Sequence, residues 1–321
     1  MAPMHVAIVS HHRLPVTGYG GTERVVVALV RGLAQLGHRV TLIAPPGTRV
    51  PEAAVVEIAA KLLRDRSANF INAVPADADV VHVHFPIADG ATAGGAPLVQ
   101  TSHVNWKPGR PVPPRTIFLS RDHARRHGSE TFVYNGLDPA DFFMRRRKES
   151  WDLFLGQLHS AKGYQWAIEA AKRTGHPLIV AGGWRPTFSH VVKYVGEVDN
   201  GQKRALLARA RCLWNPVLWD EPFGLVSIEA LFSGTPVLGT KRGALPEIIT
   251  PEVGALRDTL EELLVASVGI HRCDPEACRA RAERHFSHLA MAGAYVRMYE
   301  HLKRTGTLPA GVPLPNPSTA A

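Results

Sequence analysis

The sequence predicts an α/β protein built from two parallel-sheet halves. Short apolar runs alternate with helical patterns, the alternation breaks after Leu137, and at Asp152 it begins again. A length of 321 residues suits two domains at roughly 100–200 residues each.

In the first half, residues 5–10 are apolar and rich in β-formers, a first strand. Residues 22–36 carry Val26, Leu29, Val30, Leu33 and Leu36 at helical spacing, and Gly37 closes that helix. Residues 39–44 form the next strand, stopped by Pro45-Pro46-Gly47. Residues 79–85, 97–102, 115–120 and 131–135 read as further strands. Asp138-Pro139 marks a turn, and Arg145 to Glu149 is a charge run without period. A first domain over 1–140, a linker over 141–150 and a second domain over 151–304 follow. In the second half, residues 152–155 are a strand, 158–163 a loop, 165–173 a helix and 178–181 a strand ending at Gly182-Gly183. Segments 194–198, 202–211, 212–216, 224–232, 236–239 and 256–267 then alternate. One long helical stretch over 275–304 closes the fold and leaves a return to the first domain open. Residues 305–321, rich in Pro, Ala and Gly, are expected to be disordered.

Composition excludes several classes. Apolar residues make up 45% and charged residues 20%, a folded globular balance. No run approaches the ~18 apolar residues of a membrane span. The start lacks the basic region of a secretory signal, so a cytoplasmic location is expected. Cys212, Cys273 and Cys278 are too few for a disulfide framework, and His271 with Cys273 and Cys278 lacks a fourth metal ligand. Lys and Arg total 37 against 28 Asp and Glu, a net charge of +9. The cations are scattered and no nucleic-acid module accompanies them, so no nucleic-acid partner is expected. A phosphorylated small molecule, an anionic membrane or a charged surface with no partner each fits the charge, and the run 145–148 leaves peripheral membrane contact open.

In open parallel sheets ligands sit beyond the carboxyl ends of the strands. One such segment runs from Asp220 to Val237. Glu221 falls in a loop before a helix and Glu229 inside that helix. The amides of Phe223, Gly224 and Leu225 at the helix start would attract phosphate, and flanking carboxylates can accept hydrogen bonds from sugar hydroxyls. An amphipathic helix with incidental acids would account for an isolated pair of glutamates as well.

The pair is not isolated. Glu221-x-Phe223-Gly224-Leu225-x-x-x-Glu229-Ala230, followed by Gly234-Thr235-Pro236-Val237, resembles the retaining glycosyltransferases of family 4. Further blocks agree in order: Gly20-Gly21-Thr22-Glu23, Gln100-Thr101-Ser102-His103, Tyr134-Asn135-Gly136-Leu137-Asp138, Lys162-Gly163 and Gly243-Ala244-Leu245-Pro246-Glu247. The resemblance implies the GT-B fold, two facing Rossmann-like domains with a donor cleft between them. It implies transfer from a nucleoside-diphosphate sugar, UDP or GDP, to an acceptor hydroxyl with retention, and neither a metal nor a cofactor. By the same resemblance Glu221, His103 and Lys162 are the candidate catalytic residues. Lys162 would meet the diphosphate, Glu221 and His103 the transferred sugar, and Glu229 the ribose. Amides at Phe223, Gly224 and Leu225, and those of Gly20 and Gly21, would cradle the anion. Gly196, Glu197 and Val198 would receive the nucleobase.

One position departs from the family pattern. Gln157 stands where an arginine is expected, a loss of ~1.5–3 kcal/mol of diphosphate binding unless His159 or Arg13 replaces it. A nucleotide-sugar-binding protein without transfer activity, or an epimerase on the same fold, is the alternative. The acceptor and the oligomeric state are not readable; segments 52–76 and 85–95 would shape the acceptor pocket. Asp77-Ala78-Asp79 imitates a metal motif but precedes a strand, and reads as a turn. Gly18-x-Gly20 lacks the third glycine of a dinucleotide fingerprint. His82 and His84 share one strand face as sheet-end polar residues, with His84 able to line the cleft. Trp184 fits either a ligand cover or the core.

Overall fold

The computed structural model describes residues 2–16, 20–64, 70–87, 93, 95–107 and 109–314. Gly18, part of segments 52–76 and 85–95, and the tail from residue 315 therefore lie outside the described residues. The chain forms two compact units, one of Met1–Asp138 with Ser287–Pro313, the other built from Pro139–Phe286.

The first unit holds six parallel strands, β1 (His5–Val9), β2 (Arg39–Ala44), β3 (Ala54–Glu57), β4 (Val80–Val83), β5 (Leu98–Thr101) and β6 (Thr116–Ile117). They lie in the order β3-β2-β1-β4-β5-β6. Every residue of β1 and β4 is buried, as befits strands covered on both faces. Helix α1 (Gly21–Gln35) turns Val25, Val26, Leu29, Val30 and Leu33 inward. Helix α2 (Ala60–Arg64) and helix α3 (Arg121–Arg126) follow, the second capped by Ser120, whose side chain accepts from the His123 amide.

The second unit repeats the plan with β7 (Asp152–Leu155), α4 (Tyr164–Thr174), β8 (Leu178–Ala181), β9 (Val192–Gly196), α5 (Asn200–Arg209) and β10 (Leu213–Asn215). It continues with α6 (Leu225–Phe232), β11 (Val237–Thr240), α7 (Leu245–Ile248), β12 (Gly254–Arg257), α8 (Leu260–Gly269) and α9 (Pro275–Phe286). Its parallel strands run β12-β11-β10-β7-β8-β9, around a core that includes Phe154, Val180, Trp214, Leu238 and Leu263. Strand order reverses between β1 and β4 in the first unit and between β7 and β10 in the second, the points where such sheets open a crevice.

Several expectations are corrected. The single helix over 275–304 is two, α9 and α10 (His288–Thr305), because extended Ser287 breaks the run and caps the second by accepting from the Ala290 amide. Helix α10 packs on α1 in the first unit, so close that a Cβ on Gly32 would lie 2.5 Å from the His288 carbonyl oxygen. Residues 131–135 form no strand; Phe132 alone bridges Phe118. The stretch read as a linker is bound to the second unit. There Phe142 stacks on Phe232, and Lys148 Nζ donates to the carbonyls of Ala208 and Ser233 and to Thr235 Oγ1. The tail is ordered in its first part, where the Gly311 amide donates to the Glu130 carbonyl. Strand β3 was missed because as an edge strand it is only half-buried and shows little alternation. Among the described residues no helix is long and apolar enough to cross a membrane.

Candidate functional site

In the second unit the residues singled out by sequence gather at the carboxyl ends of adjacent strands. Lys162 follows β7 and Glu221 follows β10, on either side of the topological switch. Two glycines hold these loops. A Cβ on Gly163 would fall 1.8 Å from the Pro216 carbonyl oxygen, so only glycine lets the β7 loop press on the β10 loop. The Leu218 amide then donates to the Ala161 carbonyl at 2.8 Å. Gly243, at φ +56, plays the same part behind Glu221: a Cβ there would lie 2.3 Å from the Glu221 carbonyl oxygen.

So held, Lys162 Nζ donates to Glu221 Oε2 at 2.6 Å and lies 4.8 Å from the centre of the Trp219 ring. The Trp219 indole N–H donates to the same carboxylate oxygen at 3.0 Å. Glu221 Oε1 makes no hydrogen bond among the described residues, which leaves an acceptor for a hydroxyl. Helix α6 starts at Gly224, at φ +95, and no side chain caps it, so its first-turn amides are open to an anion. One turn further in, Glu229 is 3% exposed and meets Lys203 Nζ at 3.2 Å. A buried carboxylate needs such a partner. Lys203 is presented by α5, whose start is fixed by a reciprocal cap between Asp199 and Gln202. The Asn215 amide donates to Ser227 Oγ at 2.9 Å, tying the end of β10 to the first turn of α6.

Gly196 closes β9, with half-buried Val198 and exposed Glu197 beyond it. Gly196 pairs with Gly183, beside the 64%-exposed Trp184 at the end of β8. Phe223 is buried and meets Phe286 edge-on, so its side chain serves the core and only its backbone is left for a ligand role. Gln157 is exposed. His159 Nδ1 accepts from the Ala161 amide, so only Nε2 of that ring can donate to an anion. Arg13, the other candidate to replace the missing cation, donates to the Gly47 carbonyl within the first unit.

Gly20, Gly21 and His103 belong to the first unit and stand at its strand ends. Gly20 precedes α1, but Glu23 folds back on it, its Oε2 only 2.8 Å from where a Gly20 Cβ would be. That carboxylate competes with an anion for the helix start, and His12 Nδ1 lies 3.3 Å from its other oxygen. His103, beyond β5, is half-buried, and its Nε2 lies 3.0 Å from His84 Nδ1. Burial, with a smaller push from His11, holds the His103 imidazole down at about 4. His82 is buried in a hydrogen-bonded chain: Nδ1 meets the Tyr299 hydroxyl and Nε2 meets Thr101 Oγ1, both at 2.7 Å. Asp77 and Asp79 are occupied by Arg39 and Lys303 at the amino end of β4, whereas His103 follows the carboxyl end of the neighbouring β5. Among the described residues no cluster of three His, Cys, Asp or Glu side chains suits a metal.

Sequence reasoning missed Trp219, Lys203 and the partnership of His84 with His103. Trp219 carried a signal, two residues before Glu221. Lys203 carried none, since only the pairing of α5 with α6 gives it a role.

The chain matches two family models, "Glycosyltransferase Family 4" over residues 19–138 and "Glycosyl transferases group 1" over residues 152–269. It is 33% identical over 203 residues to the glycogen synthase of Mycobacterium tuberculosis, covering 54% of this chain and 49% of that one. It is 30% identical over 151 residues to an uncharacterized glycosyltransferase of Methanocaldococcus jannaschii, covering 38% of each. These matches span less than half the length of the curated relatives. Among solved structures, a glycosyltransferase involved in avilamycin A biosynthesis is similar over 96% of this chain and all of that one. The TM-score is 0.80 and the identity 29%. HepE of Anabaena, solved with UDP and glucose, shares the fold with a TM-score of 0.66 at 15% identity, over 92% of this chain and 99% of its own.

Proposed function

The chain belongs to glycosyltransferase family 4, and on that premise we propose that it moves a sugar from a nucleoside-diphosphate donor to an acceptor hydroxyl. The observation that carries this reading is the group at the switch point of the second unit. A lysine, a carboxylate with one uncommitted oxygen and an uncapped helix start converge there, with a second, buried carboxylate behind them. As the anomeric carbon leaves, negative charge grows on the diphosphate and positive charge on the sugar. Lys162 and the α6 amides stabilise the first. Glu221 accepts from hydroxyls of the transferred sugar, and the Trp219 and Lys162 contacts keep its second oxygen in place. Glu229 accepts from the ribose, with Lys203 compensating its buried charge.

The transfer is proposed to proceed with retention, the departing phosphate oxygen taking the acceptor's proton, and without a metal. UDP is the first nucleotide to test because HepE was solved with it, and GDP the second. Acceptors from avilamycin-type biosynthesis are the first class to try, given the relative of similar length. A protein that binds the donor without transferring it is the second reading. It is favoured by the neutral, exposed Gln157 where a cation is expected.

Calorimetry tests the site. Lys162→Ala and Glu229→Ala should each weaken donor binding by more than about tenfold, a loss of at least ~1.4 kcal/mol. Unchanged affinity in both variants sinks the assignment. With an acceptor in hand, the anomeric proton of the product reads the stereochemistry, and inversion refutes the retaining mechanism. Activity that survives a chelator supports metal independence; activity abolished by it and restored by magnesium refutes it.

A further inference from the structure

We propose that His84 is a positioning residue that fixes the tautomer of His103, so that His103 offers an N–H from Nδ1 to a ligand oxygen at the carboxyl end of the first unit's sheet. That this ligand is a sugar rests on the transferase reading above; the tautomer does not.

The argument begins at His82. Both of its ring nitrogens are engaged, Nδ1 by Tyr299 and Nε2 by Thr101, and Thr101 Oγ1 also meets the Tyr295 hydroxyl at 3.0 Å. Both tyrosines come from α10, so the returning helix clamps the His82 ring. Two residues on, the His84 ring lies against it, with centroids 4.2 Å apart and planes 33° apart. That contact sets the plane of His84, whose Nδ1 points at His103 Nε2 over 3.0 Å.

One proton lies between those two nitrogens, and either ring could own it. His84 is 3% exposed, and its Nε2 has no hydrogen-bond partner among the described residues. If His103 donated, the neutral His84 would carry its proton on that Nε2, burying an N–H without an acceptor. If His84 donates from Nδ1, its Nε2 buries only a lone pair. Orphaned donors are rarer in protein interiors than under-used acceptors, so the second arrangement wins. His103 Nε2 then accepts. With its imidazolium disfavoured by burial down to about pH 4, the single proton of His103 sits on Nδ1 at neutral pH. Nδ1 makes no hydrogen bond within the described residues, which leaves it for a ligand. His103 so arranged is a hydrogen-bond donor and no base. Its natural partner is a hydroxyl oxygen, and the acceptor's proton must go elsewhere.

The test is spectroscopic and kinetic. In ¹⁵N-histidine-labelled full-length protein at neutral pH, with His103 identified through the His103→Gln spectrum, Nε2 should be pyridine-like and Nδ1 pyrrole-like. The reverse assignment overturns the proposal. His84→Asn keeps an N–H donor in the place of Nδ1 and should keep both the tautomer and kcat within about threefold. His84→Leu removes the donor and adds no charge, frees the His103 proton to populate Nε2, and should lower kcat by more than about threefold with nucleotide affinity unchanged. A reversed tautomer with unchanged kcat overturns the donor role. A wild-type protein that binds nucleotide sugar yet transfers nothing counts against the transferase reading, and the spectra still decide the assignment of His84.

Discussion

Asp152, at the start of β7, shows how far one buried group can be shifted. Arg211 holds both of its oxygens, Nε to Oδ1 at 2.7 Å and Nη2 to Oδ2 at 2.9 Å, and the Trp214 indole donates to Oδ2 at 2.8 Å. Burial alone would raise its pKa, but His176, Arg211 and Trp214 together outweigh it and hold the carboxyl at about 2. An unfolded aspartate titrates near ~3.9, so this group contributes stability above that pH and loses it as pH falls from about 4 towards 2. The contribution is about 2–3 kcal/mol. Urea titrations should show stability falling less steeply over that window in Asp152→Asn than in the wild type; parallel slopes would refute the assignment. Single residues were unevenly legible. Lys162, Glu221 and Glu229 stood in an ordered motif, whereas Lys203 and Trp219 gain meaning only from their neighbours in space. His82 and His84 were readable as one strand face, but no spacing could join His84 to His103.

At the scale of elements, the break between α9 and α10 matters most. The run 275–304 is continuously helix-forming, and Ser287 passed unnoticed as a cap because nothing local distinguishes it from a tolerated helical serine. What separates the helices is tertiary. Extended Ser287 pairs with Leu137, and the His288 amide donates to the Leu137 carbonyl at 2.9 Å. Helix α10 then seals α1 at Gly32. A leucine there would meet the His288 carbonyl and Ala292 and push the two helices apart. Gly32→Leu should therefore lose about 2–3 kcal/mol, read as a lower urea midpoint, while Gly269→Leu, in α8 with open space at its Cβ, should lose far less. Equal losses in the two variants would show that backbone conformation, and not the α1–α10 contact, dominates. Most strands of both sheets were readable because parallel strands are near-continuous apolar runs, β6 included within the expected strand 115–120; the edge strands β3 and β12 were not.

For the whole molecule, the two halves expected from the alternation are present, but they differ in kind. The second unit is built from the stretch Pro139–Phe286, which carries its own core. The first is completed only by Ser287–Pro313, which supplies the buried Tyr295, Val296 and Tyr299. Fragments should behave accordingly. A polypeptide of residues 139–286 should give a cooperative thermal transition, and one of residues 1–138 should not until 287–313 is restored. A stable, cooperatively melting 1–138 fragment would contradict the role given to α10. Of the cations behind the +9 charge, Lys162 and Lys203 are the ones among the described residues that pair with Glu221 and Glu229.

The return of the chain at Ser287 also orders events during synthesis. Domains emerging from a ribosome generally fold as they appear, the amino-terminal one first. Here the opening half must wait, its sheet exposed on one side, while the whole of the later half is made and can close around its own core. The part translated first is thus the last to become native, and the cell must shelter it in the interval.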